Sequence, residues 1–106
     1  MKTTKKLYKN STICFDLDGT ICSVEKIYNK AYAEPNKEII KTINELYNSG
    51  NNIIIFTGRN SLEWRTTTDW LKKYNVKYHQ LIMNKPYYDV YIGDKAINIE
   101  DYGKSI

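Results

Sequence analysis

The run Asn52-Ile53-Ile54-Ile55-Phe56-Thr57 constrains this chain more than any other stretch. It is short, β-branched and aromatic, and reads as a strand without ambiguity. A helix pattern precedes it. Pro35 suits the first helical position, Ile39, Ile40, Ile43, Leu46 and Tyr47 recur at helical spacing, and Gly50 supplies the stop. Further upstream, residues 11–17 form a second strand candidate, apolar at almost every position, as in strands buried on both faces of a parallel sheet. Downstream, a second helix is predicted to open at Asn60 or Ser61, with Glu63 closing a capping box and Leu62, Trp70, Leu71 and Tyr74 as its apolar face. The Thr66-Thr67-Thr68 run weakens local propensity there, so packing must hold that helix. Two short strands are predicted at residues 78–83 and 89–92. Strand–helix–strand–helix–strand is a parallel α/β order with right-handed crossovers.

With 106 residues, the chain is expected to form one domain, 1–106, and its N-terminal stretch MKTTKKLYKNS lacks the apolar run of a secretory signal. Residues 1–10 are lysine-rich and are expected to form a flexible basic tail, while residues 19–34 lack clean periodicity and read as a flap or loop. No apolar run reaches the roughly 20 residues of a membrane span. Cys14 sits in a strand pattern expected to be buried and Cys22 in a loop, which argues against a disulfide framework and for a cytoplasmic location. The net charge of +4 permits an anionic partner without naming one. The ten tyrosines come with no nucleic-acid-binding motif, so a small anionic substrate is favoured and nucleic acid is disfavoured. His79, the one histidine, reads as structural rather than catalytic.

In open parallel sheets, ligands bind beyond the carboxyl ends of the strands. Asp16 ends the first strand, Thr57-Gly58-Arg59 ends the second, Lys85 follows the third and Gly93-Asp94 ends the predicted fourth. Asp16 and Asp18, two residues apart, start from the same side of a strand. Close carboxylates repel, and a hard cation such as Mg²⁺ relieves the conflict; Asp94 is the natural third ligand. Lys85, the Thr57 hydroxyl and the Gly58 backbone N–H then suit a phosphoryl group, with Arg59 as a substrate contact, a solvated side chain or half of a surface ion pair. One carboxylate attacks phosphorus and the other handles the proton.

Asp16-Leu17-Asp18-Gly19-Thr20, Thr57 at a strand end, Lys85, and Asp94 after an apolar stretch resemble the four motifs of the haloacid dehalogenase-like (HAD) phosphatase superfamily, in order. The resemblance implies an α/β three-layer sandwich around a central parallel sheet. It implies Asp16 as nucleophile and metal ligand, and Asp18 as general acid/base that also meets the metal through its main-chain carbonyl. Thr57 and Lys85 become phosphate anchors, Asp94 the acidic metal ligand and Mg²⁺ the cofactor. A second aspartate at Asp18 points to phosphoryl chemistry rather than dehalogenation. The stretch LIMNKPYYDVYIGDKAIN is similar to short HAD-like proteins of bacterial capsule or surface-polysaccharide synthesis. It departs from them at Gly93, where many read aspartate, and Asn98 stands where the Gly-Asp form usually carries another acid.

Only 40 residues separate Asp16 from Thr57 and 27 separate Thr57 from Lys85, so the resemblance implies a member without a cap domain. Such a site is closed either by a large substrate or by a second subunit acting as lid, and the flap, with tyrosines such as Tyr28 and Tyr32, is the expected contact. Trp64, Tyr87 and Tyr88 are further aromatic candidates for a pocket lining. The expected activity is a Mg²⁺-dependent phosphomonoesterase with an aspartyl-phosphate intermediate. The favoured substrate is a sugar or amino-alcohol phosphate. A nucleic-acid end or a phosphoprotein is the alternative substrate, and a HAD-fold binding module is the alternative class.

Overall fold

The computed structural model describes residues 8–25 and 27–102, without the side chains of residues 27–29. Three parallel strands, β1 (Thr12–Asp16), β2 (Asn52–Phe56) and β3 (Gln80–Ile82), form one sheet in that order. Helix α1 (Lys37–Asn48) crosses from β1 to β2, and α2 (Trp64–Lys73) from β2 to β3. Two right-handed crossovers stepping the same way place both helices on one face. Burial agrees: Phe15, Ile53, Ile55 and Leu81 are buried, while Cys14 and Gln80 between them are exposed. The parallel α/β architecture is therefore as expected, but the strands are buried on one face rather than two.

Local chemistry explains the helix boundaries. Asn36, not Pro35, begins α1: its side chain accepts from the Ile39 N–H, and Pro35 lies one residue outside. Gly50, at φ 93°, takes the left-handed conformation that ends the helix. The predicted capping box exists, with Asn60 and Glu63 reciprocally bonded, but it caps a 3₁₀ turn (Ser61–Glu63) that leads into α2. Leu62 therefore falls outside the helix whose apolar face it was to join, and it is exposed. Ile43, Ile53, Ile55 and Leu71 form the centre of the core.

Asn51, at the entry to β2, ties the segment before β1 to α1. Its Oδ1 accepts from the Ser11 N–H at 3.0 Å, and its Nδ2 donates to the Tyr8 and Leu46 carbonyls at 2.8 and 3.0 Å. Residues 1–7 of the expected tail lie outside the described residues; Tyr8 packs against the core.

The predicted fourth strand does not form. A parallel strand needs a crossover of a dozen or more residues, and only residues 83–88 lie between Ile82 and Asp89. Val90, Tyr91 and Ile92 are exposed, and Asp89 opens no strand.

Candidate active site

A cleft of about 470 Å³ opens at the carboxyl ends of the strands. Asp16, Asp18, Thr57, Gly58, Arg59 and Lys85 line it together. Six residues drawn from three separate strand ends thus converge as the strand-end rule requires.

The turn after β1 sets the two aspartates. The Leu17 carbonyl accepts from the N–H groups of Thr20, Ile21 and Cys22 at 2.9–3.2 Å, and Gly19 adopts φ 85°, where a side chain would be strained. This tight hook buries Leu17 and Ile21 and leaves Asp16 and Asp18 on the cleft. At the neighbouring strand ends, the Lys85 N–H donates to the Thr57 carbonyl and the Asn84 N–H to the Arg59 carbonyl. Asn84 takes φ 64° to make this possible. Lys85 is thereby fixed beside β2 rather than free in a solvated loop.

Each aspartate has its own cation. Lys85 Nζ is paired with Asp16 Oδ1 and sits 5.0 Å from the Tyr88 ring centre. Burial alone would lower the Lys85 pKa, but the hydrogen bonds and charges of Asp16 and Tyr88 outweigh it and hold the ammonium above its ordinary range. Arg59 spans Asp18, with Nε to Oδ2 at 3.1 Å and Nη2 to Oδ1 at 2.7 Å. Burial works against its charge too, and the Asp18 hydrogen bonds and charge more than offset this. Cys22 Sγ lies 3.6 Å from Asp18 Oδ1; burial first, then the nearby Asp18 charge, pushes its thiol up to about 12.

Arg59 thus lines the cleft as one half of an ion pair, but the pair is buried on the arginine side rather than lying at the surface. Arg59 is buried, and its third nitrogen, Nη1, donates to Thr67 Oγ1 of α2 at 3.1 Å. Nothing in the sequence pattern singled out Thr67 or Cys22 as partners of the site; the buried middle threonine of an unfavourable run was the available signal. Thr57 is buried, and its Oγ1 accepts from the Arg59 N–H, leaving the hydroxyl proton as a donor. Gly58 has no positive φ, and a Cβ there would meet the Lys85 carbonyl at an ordinary 3.5 Å. The protein itself does not demand glycine at that position.

Asp94 is not brought to the cleft. It is exposed on the irregular 86–98 segment, because the strand that was to deliver it has no crossover long enough to form. Among the described residues no three His, Cys, Asp or Glu side chains converge on a metal position. In proteins generally, Mg²⁺ needs only one or two carboxylates, with water and phosphate completing its shell. The Asp16 carboxylate, with 45% of its side-chain surface exposed, and the Asp18 main-chain carbonyl meet that minimum. The donor set fits the ion with one acidic ligand fewer than expected.

Tyr87 and Tyr88 line the cleft, while Tyr32 and Trp64 are exposed elsewhere and the Tyr28 side chain lies outside the described residues. Lys30 of the 3₁₀ turn Ile27–Tyr32 also lines the cleft and pairs with Glu63. His79 stands away from the cleft: its Nδ1 accepts from the Ile53 N–H, and its ring stacks on Tyr47. It is structural, as expected.

Residues 10–93 match the family described as polynucleotide kinase PNKP phosphatase domain. A Vibrio cholerae protein of known crystal structure superposes with a TM-score of 0.76 at 24% identity, over 88% of this chain and 87% of that one. A chain in a structure of the Pnkp1/Rnl/Hen1 RNA repair complex superposes with a TM-score of 0.62 at 24% identity. A further structure of the Pnkp1/Rnl/Hen1 complex gives 0.64 at 22% identity. Both superpositions cover 78% of this chain but only 28% and 30% of those chains. These structural likenesses show a shared fold. No curated protein sequence matches.

Proposed function

Because the chain belongs to the polynucleotide kinase PNKP phosphatase domain family, a HAD-type phosphatase family, we propose that it hydrolyses phosphomonoesters using Asp16 and Asp18. The observation that carries this reading is the unequal treatment of the two carboxylates. Asp16 is nearly half exposed to the cleft and held at one oxygen by Lys85, which leaves the other free to attack. Asp18 is gripped at both oxygens by a buried guanidinium, which suits a group that must be aimed. Two carboxylates in different surroundings take different roles.

In the first step an Asp16 oxygen forms a bond to phosphorus while the ester P–O bond breaks. Protonated Asp18 gives its proton to the departing oxygen, and the alcohol leaves. In the second step the Asp18 carboxylate takes a proton from water, whose oxygen bonds to phosphorus. The Asp16–phosphorus bond breaks and inorganic phosphate is released. Lys85, Thr57 and Gly58 line the same cleft, and in this reading the ammonium, the hydroxyl and the Gly58 N–H meet the phosphoryl oxygens. Mg²⁺, held by Asp16 and the Asp18 main-chain carbonyl, would add neutralising charge at those oxygens.

Family membership and the net charge of +4 favour a phosphorylated nucleic-acid end as substrate. The resemblance of the LIMNKPYYDVYIGDKAIN stretch to proteins of surface-polysaccharide synthesis favours a sugar or amino-alcohol phosphate instead. Phosphate release from end-phosphorylated oligonucleotides and from a panel of sugar and amino-alcohol phosphates, with Mg²⁺ and an Asp16→Asn blank, separates them. Turnover of oligonucleotides that falls steeply with salt supports the first substrate. Selective turnover of one small ester supports the second. Equal release by wild type and Asp16→Asn refutes the mechanism, and tight macromolecular binding without any turnover supports a binding module.

A further inference from the structure

The Thr66-Thr67-Thr68 run is unfavourable for a helix, yet α2 keeps it. Thr67 is wholly buried, and a buried hydroxyl costs stability unless it is bonded. Packing alone would be met equally well by valine, which has the same shape and no polar atom to satisfy. The Thr67 hydroxyl has a specific partner: it accepts from Arg59 Nη1 at 3.1 Å. Thr67 does not line the cleft, so it touches no substrate.

The Arg59 side chain is only 1% exposed and is held on two sides. Nε and Nη2 form a fork on Asp18, and Nη1 reaches in the opposite direction to α2. A planar guanidinium held at three nitrogens cannot rotate about its stem. Removing the helix-side hold leaves the fork intact but lets fork and carboxylate swing together. Cys22 Sγ, 3.8 Å from Nη2, is too weak a partner to replace it.

We propose that Thr67 is a positioning residue: acting through Arg59, it sets the Asp18 carboxylate and so governs proton delivery to the leaving oxygen. This rests on the reading of Asp18 as general acid. An ester whose alcohol is a good leaving group needs little protonation, whereas an alkyl ester needs it fully. A misaimed Asp18 therefore harms the second far more than the first.

The test compares Thr67→Val, Thr67→Ser and wild type on p-nitrophenyl phosphate and glycerol phosphate, at fixed Mg²⁺. The quantity read is kcat/KM, which covers only the steps up to departure of the alcohol. Thr67→Val is expected to lose about tenfold to a hundredfold on glycerol phosphate, the cost of a small misplacement. Its value on p-nitrophenyl phosphate should fall far less, and Thr67→Ser should restore the alkyl ester. Arg59→Lys, which keeps the charge and loses the fork, should show the same contrast and serves if Thr67→Val does not fold. Equal losses on both esters, or no loss on either, would overturn the proposal. Asp18→Asn is the control for the underlying reading. If it shows no contrast, the role of Asp18 falls; if it shows the contrast and Thr67→Val does not, only the role of Thr67 falls.

Discussion

Lys85 shows how much one side chain at a strand end carries. Its ammonium is paired with Asp16 and lies against the Phe56 and Tyr88 rings. Its folded pKa is raised above the unfolded one, so its contribution to stability is fully present below the ordinary lysine value of about 10.4. That contribution is lost only as pH climbs through the raised folded value. The melting temperature of the wild type should therefore decline on the alkaline side, above about pH 10.4. Lys85→Met should be less stable at neutral pH and should show a shallower alkaline decline. At this scale the sequence exposed Asp16, Asp18, Thr57, Gly58 and Lys85, because each ends or follows an apolar run. It could not expose the grip of Arg59 on Asp18, which joins residues far apart through a long side chain whose direction no local pattern records.

Among the elements, the junctions matter more than the lengths. Asn51 bonds three backbone groups, two in the segment just before β1 and one in α1. Asn51→Ala is expected to cost about 1–3 kcal/mol, since it removes three hydrogen bonds and leaves the part-buried Ser11 N–H without this partner. Urea denaturation should show the midpoint falling with an unchanged m-value. Trp70 performs a similar task from α2: its Nε1 donates to the buried Ala33 carbonyl at 2.9 Å and ties down the segment before α1. Trp70→Phe should lower stability by about 1 kcal/mol and raise amide exchange chiefly in residues 30–36. The helices are legible from their 3.6-residue period, and the two longer strands from short β-branched and aromatic runs. Val90, Tyr91 and Ile92 have strand composition, but the connection from β3 is too short for a parallel crossover, and composition carries no record of that.

Over the whole molecule, placing both crossover helices on one face leaves the other face of the sheet comparatively bare. The two cysteines sample this difference. Cys14 is exposed, and Cys22 is buried behind Asp18. Burial and the Asp16 charge raise the Cys14 thiol, so its alkylation should be slow near neutrality and accelerate with pH. Cys22, pushed up to about 12, should stay unmodified until the protein unfolds. Mass spectrometry after iodoacetamide treatment should thus find one adduct on the native protein and two on the denatured one.

The pairing of β1 with β2 matches Thr12 to Asn52 and Asp16 to Phe56. Side chains in a strand face opposite ways in turn, so the position of Asp16 is a matter of parity. One residue inserted between Thr12 and Asp16 would turn the Asp16 carboxylate toward the oily interior and aim Phe15 at the cleft. Two inserted residues would keep the odd–even count and merely lengthen the strand. Mutational drift in this segment should accordingly tolerate length changes in pairs.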